Sequence, residues 1–331
     1  MDKIDFVLIW VDDSDPDWRH LYSHYSKIEF GDTRTVRYRD WGTLKYWFRG
    51  VEKFAPWVNN IFFITCGHVP KWLNLSHPKL KFIRHSDYIP SEYLPTFNSH
   101  TIELNLHRIP SLSEKFVYFN DDTFIINTLK PDRFFHDNKV RDIAVLNAPQ
   151  PRGEMMDYIM ANNVGFINRF FNKKEVINHY KTGWLSPTYG KLLFRTLALY
   201  SYPSFTGLYD PHLPNPFFKS TLVKVWDMDS YTLNNTCLCK FRSFNNVSQY
   251  VFRYYQLMTG IFDPINPWKS SISYLSLNDK NLNKVIEDIT TQKKSLICVN
   301  DGNLSDFDNA KQKLCTAFAQ IFPDKSSFEK Y

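Results

Sequence analysis

The stretch Phe116-Val117-Tyr118-Phe119-Asn120-Asp121-Asp122 decides how this chain folds. Its four apolar or aromatic residues predict a buried strand, and an amide and two carboxylates follow directly. A second apolar run begins at Thr123. Carboxylates between two core segments are costly to desolvate unless a cation meets them, and divalent metals take such oxygen ligands. Asp and Asn also favour turns because they hydrogen-bond to their own backbone, so this stretch alone leaves a metal site and a simple turn both open.

The same pattern recurs twice in the chain. An apolar run from Ile4 to Val11 ends in Asp12-Asp13-Ser14-Asp15, and another from Ser295 to Val299 ends in Asn300-Asp301. In open α/β sheets, ligands bind outside the carboxyl ends of the strands. If the three strands are parallel neighbours, their carboxylates converge at one edge, where a bound cation relieves their repulsion. The three runs together favour a metal-dependent site for phosphates, although Asp12 and Ser14 also suit the cap of the following helix.

Strand and helix patterns alternate along the rest of the chain, which favours a mainly parallel sheet flanked by helices. Further strands are predicted at 60–65 and 79–84, and helices at 17–25, 44–51, 99–109 (capped by Ser99) and 306–322. Residues 150–260 show mostly helical patterns instead, for example at 163–171 and 247–258. We therefore expect an α/β fold in a single catalytic domain, 1–331, with its core in 1–148 plus 290–331 and a mostly helical insertion or lid at 150–260.

Composition and charge exclude several classes of protein. Hydrophobic residues make up 43% and aromatic residues 17% of the 331 residues, so a large core is available and global disorder is excluded. The net charge of +6 comes from scattered basic residues, which argues against nucleic acid and fits an anionic substrate or membrane surface. Five cysteines without zinc-site spacing, no signal peptide and no membrane-spanning run predict a cytoplasmic protein, with peripheral contact at the inner membrane face as an option.

Four stretches of the chain resemble, in order, the conserved blocks of the Stealth family of sugar-phosphate transferases. They are Ile4 to Pro16; Arg37 to Phe135, which includes Arg39-Asp40, Leu94-Pro95-Thr96-Phe97-Asn98-Ser99 and Tyr118 to Asp122; Asp210-Pro211-His212-Leu213-Pro214 through Phe241-Arg242-Ser243; and Cys298-Val299-Asn300-Asp301. The second block departs from the family pattern, because Gly42-Thr43-Leu44-Lys45-Tyr46-Trp47 stands where a Gly-Glu-Leu-Arg-Tyr-Ser run is expected. The resemblance implies a nucleotide-sugar-transferase-like fold of the Rossmann or GT-A kind.

The family comprises bacterial capsular-polysaccharide phosphotransferases and the eukaryotic enzyme that tags lysosomal proteins with N-acetylglucosamine-1-phosphate. The resemblance implies transfer of a sugar-1-phosphate from a UDP-sugar donor to a hydroxyl of a saccharide or growing capsule chain, which forms a phosphodiester and releases UMP. It implies a divalent cation, Mg²⁺ or Mn²⁺, on Asp121 and Asp122. The implied catalytic residues are His212, Arg242 and Asp301, with His212 or Asp301 as the base. The implied substrate-binding residues are Trp10, Asp12, Ser14, Asp15, Arg39, Asp40, Asn98, Asn120 and Asn300.

Two other functions remain open from the sequence. A metal-dependent glycosyltransferase would use the same UDP-sugar and the same acidic motif, but it would release UDP instead of UMP. A non-catalytic carbohydrate-binding protein would use the many aromatic residues as stacking surfaces. That second alternative leaves the acidic strand ends without a role, and glycan binding in the absence of nucleotide and metal would favour it.

Overall fold

The computed structural model describes residues 3–34 and 38–330, and its centre is a five-stranded sheet packed among helices. The strands are β1 (Ile4–Ile9), β2 (Ile61–Thr65), β3 (Leu80–Arg84), β4 (Lys115–Phe119), β5 (Thr123–Ile125), β6 (Phe135–His136), β7 (Lys139–Asp142), β8 (Asn215–Phe218), β9 (Phe262–Pro264), β10 (Ser271–Tyr274) and β11 (Leu296–Val299). The helices are α1 (Pro16–Tyr25), α2 (Leu44–Phe54), α3 (Ser99–Leu104), α4 (Met155–Phe170), α5 (Lys173–His179), α6 (Lys181–Trp184), α7 (Leu193–Leu199), α8 (Lys219–Met228), α9 (Ser230–Leu238), α10 (Tyr250–Met258), α11 (Leu282–Thr291) and α12 (Phe307–Ile321).

The central sheet has the strand order β3-β2-β1-β4-β8. β1 pairs in parallel with β2 and β4, β2 pairs in parallel with β3, and β8 lies antiparallel at the β4 edge. All the residues of β2, and all those of β4 except the first, are buried, as expected for strands that are covered on both faces. The predicted α/β fold with a mainly parallel sheet is confirmed.

Helix α2 packs against the two strands whose ends carry the acidic residues. Its Trp47 is fully buried, and the Trp47 ring lies 6.5 Å from that of Phe6 in β1 and 5.5 Å from that of Phe119 in β4, measured between centroids. The Phe6 and Phe119 centroids are 4.6 Å apart. Burying one such side chain stabilises the fold by about 1.5–3 kcal/mol. The aromatic cluster therefore fixes the relative position of β1 and β4, and with it the position of the residues that follow them.

The third acidic strand lies in a different sheet from the other two. β11 pairs antiparallel with β5 and parallel with β10, so the expectation of three parallel neighbours is correct for β1 and β4 and wrong for β11. The reason is that the chain reverses after Asp122 and continues as β5. Because β11 runs antiparallel to β5, its carboxyl end returns to the start of β5, where the Val299 amide donates to the Asp122 carbonyl at 2.8 Å. Asp301 therefore still arrives beside Asp122.

Residues 150–260 are mostly helical, as predicted, and they also supply β8, the edge strand of the central sheet. The helix predicted at 163–171 begins earlier, at Met155. The predicted cap Ser99 is the first residue of α3, and the cap is Asn98, whose side chain accepts from the His100 amide at 3.1 Å. Within residues 3–34 and 38–330, no helix is both long and apolar enough to cross a bilayer.

Candidate active site

A cleft of about 450 Å³ opens at the carboxyl ends of β1 and β4. The predicted site residues that line it are Trp10, Arg39, Asp40, Asn120, Asp121, Asp122, His212, Arg242, Asn300 and Asp301. They come from six separate segments of the chain. Three of these segments meet here because β1, β4 and β11 end at the cleft, and a fourth lies in the loop before β8. The cleft lies where a parallel sheet of this type binds its ligands.

The other predicted site residues support the cleft from outside it. Asp12 accepts from the Ser14 amide at 2.9 Å and from the Ser14 hydroxyl at 2.5 Å, which closes the turn after β1. Asp15, rather than Asp12 or Ser14, caps α1 by accepting from the Trp18 amide at 2.8 Å. Asn98 is fully buried and donates to Asn246 at 2.9 Å. Arg37, the first residue of the second block, lies outside the described residues.

His212 and Asp122 form a hydrogen-bonded pair in the cleft, with Nε2 of the imidazole 2.9 Å from Oδ2 of the carboxylate. Burial alone would lower the pKa of His212, but the Asp122 carboxylate outweighs it and the pKa is raised. Burial would likewise raise the pKa of Asp122, but the His212 charge and hydrogen bond lower it. Thr123 donates a further hydrogen bond to Asp122 at 3.1 Å. The pair therefore combines an ionised carboxylate with an imidazole of increased basicity.

A buried ionic network holds the loop of His212. The Arg253 guanidinium donates to both carboxylate oxygens of Asp142, at 2.8 and 2.9 Å, and to Asp210 at 2.5 Å. The Tyr254 hydroxyl donates to the other oxygen of Asp210, also at 2.5 Å. Because Asp210 lies two residues before His212, this network fixes the backbone that presents the imidazole. The sequence offers a signal for it, since Arg253 interrupts the apolar run of α10, where a buried charge needs a partner.

Asp121 lies beside this pair. Its side chain is exposed to the solvent inside the cleft, and the walls of the cleft surround it. Burial and the neighbouring carboxylates of Asp122 and Asp40 raise the pKa of Asp121 to about 7. The predicted pair Asp121 and Asp122 is thus present in the cleft. A second grouping was not predicted: one ligand atom each from Asp122, His212 and Cys298 lie within 4.8 Å of one another, close enough to hold a metal ion.

The two predicted phosphate-binding arginines have different surroundings. Arg39 donates from Nε and Nη2 to both carboxylate oxygens of Asp301, at 2.6–2.9 Å, and its guanidinium lies 3.9 Å from the centroid of the Phe307 ring. Arg242 is half-buried and donates to the Ser99 hydroxyl at 2.7 Å. Within residues 3–34 and 38–330, Arg242 has no carboxylate in ion-pair contact. Arg242 is therefore the arginine with charge to offer to an anionic ligand.

The backbone of Arg242 is held by a close approach of the loop before it. The Asp32 amide donates to the Arg242 carbonyl at 2.9 Å. Gly31 has a φ of +151°, and a Cβ there would lie 2.5 Å from Cβ of Phe241 and 2.7 Å from the Arg242 carbonyl oxygen. Only glycine fits this contact. Sequence reasoning did not identify this contact, which joins two segments more than 200 positions apart.

Two histidines of the cleft wall were also not predicted. His68 Nε2 accepts from the Asp12 amide at 3.0 Å, and burial lowers the His68 pKa. His85 is buried, and burial lowers its pKa to about 3. Both are therefore neutral wall residues near neutral pH, in contrast to His212. No motif in the sequence marks them, because each follows an ordinary strand.

Comparison with known proteins places this geometry in a family. The family model described as Stealth protein CR2, conserved region 2, matches residues 37–143. A capsular polysaccharide phosphotransferase WcwK of Streptococcus pneumoniae is 41% identical over 100% of this chain and 99% of its own length. An exopolysaccharide phosphotransferase cps2G of Lactiplantibacillus plantarum is 41% identical over 99% of this chain and 96% of its own. A solved structure of the bifunctional glycosyltransferase WbbM in its apo form covers 98% of this chain and 52% of its own, with 12% identity and a TM-score of 0.39.

The fold, the charged cleft and the full-length relatives define the chain as an enzyme, a transferase of the phosphotransferase type. It belongs to the Stealth family, so the predicted family is confirmed, and the family model matches the second of the four sequence blocks.

Proposed function

We propose that this enzyme transfers a sugar-1-phosphate from a UDP-sugar to a saccharide hydroxyl during synthesis of a capsular or extracellular polysaccharide. The acceptor oxygen attacks the phosphorus that carries the sugar. The bond from that phosphorus to the bridging oxygen breaks, and UMP leaves with the bridging oxygen. The observation that carries the proposal is the Asp122–His212 pair, which lies in one cleft with a second carboxylate and with Arg242. The names of the WcwK and cps2G relatives support it.

A divalent cation, Mg²⁺ or Mn²⁺, fits the residues Asp121 and Asp122. Burial, and after it the nearby carboxylates of Asp122 and Asp40, raise the pKa of Asp121, and a bound cation would offset both effects. Carboxylate oxygens suit such hard cations. The Cys298 thiol is fully buried, and burial raises its pKa, which keeps it neutral and makes it a poor ligand for them. When bound, the cation would neutralise the diphosphate and stabilise the charge on the leaving UMP.

His212 takes the proton of the acceptor hydroxyl. Its Nε2 is bonded to Asp122, whereas its Nδ1 makes no hydrogen bond to any residue in the described ranges 3–34 and 38–330, which leaves Nδ1 for the acceptor. The Asp122 carboxylate orients the ring and stabilises the imidazolium that forms, in the manner of other carboxylate–histidine pairs. Asp301 is the less suitable base, because both of its oxygens already accept from Arg39.

Arg242 binds the phosphate oxygens of the donor, because its planar fork matches phosphate geometry and no carboxylate within residues 3–34 and 38–330 is in ion-pair contact with it. Arg39, held by Asp301, presents its remaining nitrogen at the same cleft. Trp10, Asp40, Asn120 and Asn300 complete the substrate contacts from the walls. In this arrangement the whole chain acts as one catalytic domain, in which the helical segment 150–260 supplies His212 and Arg242 to the α/β core.

The identity of the released nucleotide tests the proposal. The enzyme is incubated with a panel of UDP-sugars and with capsule or exopolysaccharide fragments, in the presence of Mg²⁺ or Mn²⁺. We expect UMP in solution and a phosphodiester signal in the phosphorus NMR spectrum of the product. Release of UDP together with a product that lacks phosphorus would instead identify a glycosyltransferase. Glycan binding without turnover of any donor would identify a carbohydrate-binding protein.

A further inference from the structure

The surface around α7 exposes large apolar side chains in a group. Phe194 is 71% exposed and Leu197 50%, and these two residues lie on the same side of α7 because they are three positions apart. Tyr200 and Tyr202, directly after the helix, are 42% and 54% exposed. We call these four residues the α7 patch. Nothing in the described parts of the chain covers them, and such grouped exposure marks an interaction surface.

The α7 patch is held rigidly from beneath. The Thr196 hydroxyl, on the inner side of α7, accepts from the Leu146 amide at 3.1 Å. Lys173 is only 3% exposed, and its ammonium group donates to the carbonyls of Leu199, Tyr200 and Tyr202 at 2.7, 3.0 and 2.6 Å. A buried lysine is costly to desolvate, and here its ammonium group is satisfied by three carbonyls at the end of α7 and just after it. The fold therefore maintains the exposed rings in a fixed arrangement.

The charge around the patch is positive. Apart from the buried Lys173, residues 174–202 contain four lysines or arginines and one acid, Glu175. Lys174 and Lys191 are exposed, and Arg195 is exposed within α7 itself. Protein–protein interfaces are depleted in lysine, whereas anionic lipid headgroups attract it, and tyrosine and other aromatic rings prefer the boundary between water and lipid.

From this combination we propose that the α7 patch docks the enzyme onto an anionic lipid bilayer. Phe194 and Leu197 enter the boundary between headgroups and acyl chains, Tyr200 and Tyr202 lie at headgroup level, and the surrounding lysines bind lipid phosphates. The attachment is peripheral. It is also independent of the proposed transfer reaction, because none of these side chains lines the catalytic cleft.

Vesicle co-sedimentation tests the proposal. The full chain is mixed with phosphatidylcholine vesicles with and without phosphatidylglycerol, at low and high salt. We expect binding that requires phosphatidylglycerol and weakens with salt. The double variant Phe194→Ser and Leu197→Ser should bind about tenfold more weakly, and the double variant Lys174→Gln and Lys191→Gln should lose about tenfold of its preference for the anionic vesicles. Leu275→Ser, a matched control at a 63% exposed leucine outside the patch, should bind like the unmodified chain.

Three outcomes would overturn the proposal. One is failure of the unmodified chain to bind phosphatidylglycerol vesicles. Another is binding that the patch variants leave unchanged. The third is a dimer in light scattering that dissociates on the Phe194→Ser and Leu197→Ser changes, which would make the patch an interface between copies of this chain. Turnover of soluble substrates should be unchanged in the patch variants, so failure of membrane docking is distinguishable from failure of the proposed reaction.

Discussion

Replacement of Arg253 by methionine is expected to destabilise the fold by about 3–5 kcal/mol, the usual effect of removing one partner of a buried ion pair. The Arg253 side chain is 1% exposed, and those of Asp142 and Asp210 are 10% and 9% exposed. Methionine has a similar length without the charge, so the variant removes the cation that is bonded to both buried carboxylates. Arg253→Lys keeps the charge but loses the fork that bonds both oxygens of Asp142. We expect its stability to lie between that of the unmodified protein and that of Arg253→Met.

Urea unfolding followed by tryptophan fluorescence measures this loss of stability. Turnover, measured as nucleotide release at a temperature where each variant is folded, should also fall, because Asp210 then no longer fixes the loop of His212. The exposed pair of Lys284 and Glu287 provides a control, and Lys284→Met should leave the unfolding midpoint unchanged. A loss of less than about 1 kcal/mol in Arg253→Met, with normal turnover, would refute the reasoning that the network holds the site.

Three further expectations concern the cleft. Asp122→Asn should remain folded but lose most turnover with Mg²⁺ or Mn²⁺, and a chelator should inactivate the unmodified enzyme. His212→Ala should lower kcat by about 10²- to 10⁴-fold with little change in the Kd of the UDP-sugar, while Arg242→Lys should weaken donor binding or turnover despite its retained charge, as calorimetry and rate measurements can show. His85→Gln should make the free energy of unfolding less sensitive to acid. In the unmodified protein the unfolded state binds a proton at His85 near pH 6.5, whereas the folded state binds it only near pH 3. The unmodified protein therefore loses about 2 kcal/mol of stability from this group between pH 7 and pH 5.

Each of these expectations has a contrary result. Full activity in excess chelator would remove the cation from the proposed mechanism. If His212→Ala no longer binds the donor, and Arg242→Lys binds and turns over the donor like the unmodified enzyme, the roles assigned to His212 and Arg242 are wrong. Equal pH dependence of the unfolding free energy in His85→Gln and in the unmodified protein would show that His85 is protonated in the folded state.

The sequence predicts the sheet well, because its strands are short continuous apolar runs with polar residues at their ends. β1, β2, β3, β4 and β11 all appear within one or two residues of their predicted bounds. The predicted convergence is correct for Asp121, Asp122 and Asp301, which line one cleft, and wrong for Asp12 and Asp15, which lie outside it. The predicted strand arrangement is wrong for β11, because a strand pattern in the sequence does not specify which strand it pairs with. The pairing of β11 with β5 depends on a chain reversal after Asp122 that only the structure shows.

The support of the site is harder to predict from sequence. The ion pairs of Arg253 with Asp142 and of Arg39 with Asp301 join residues 111 and 262 positions apart, and no local pattern specifies such pairs. Helix starts are ambiguous for a similar reason: Asp12, Ser14 and Asp15 are all good caps, and the backbone conformation after β1 decides that Asp15 is used. The sequence therefore indicates which residues carry charge, while the tertiary structure decides which of those charges are neutralised.

The pairing of β11 with β5 also has a consequence for the order of events during synthesis. β1, β4 and the His212 loop all lie before residue 220, but the Val299–Asp122 and Arg39–Asp301 contacts need residues that follow them by about 80 positions or more. Contacts between such distant positions form late, because the chain loses the entropy of closing a long loop before the contacts can stabilise it. On a ribosome, which releases the chain from its N-terminus onwards, the cleft would remain open on one side until β11 has emerged. The cleft would therefore be completed only when β11 joins β5.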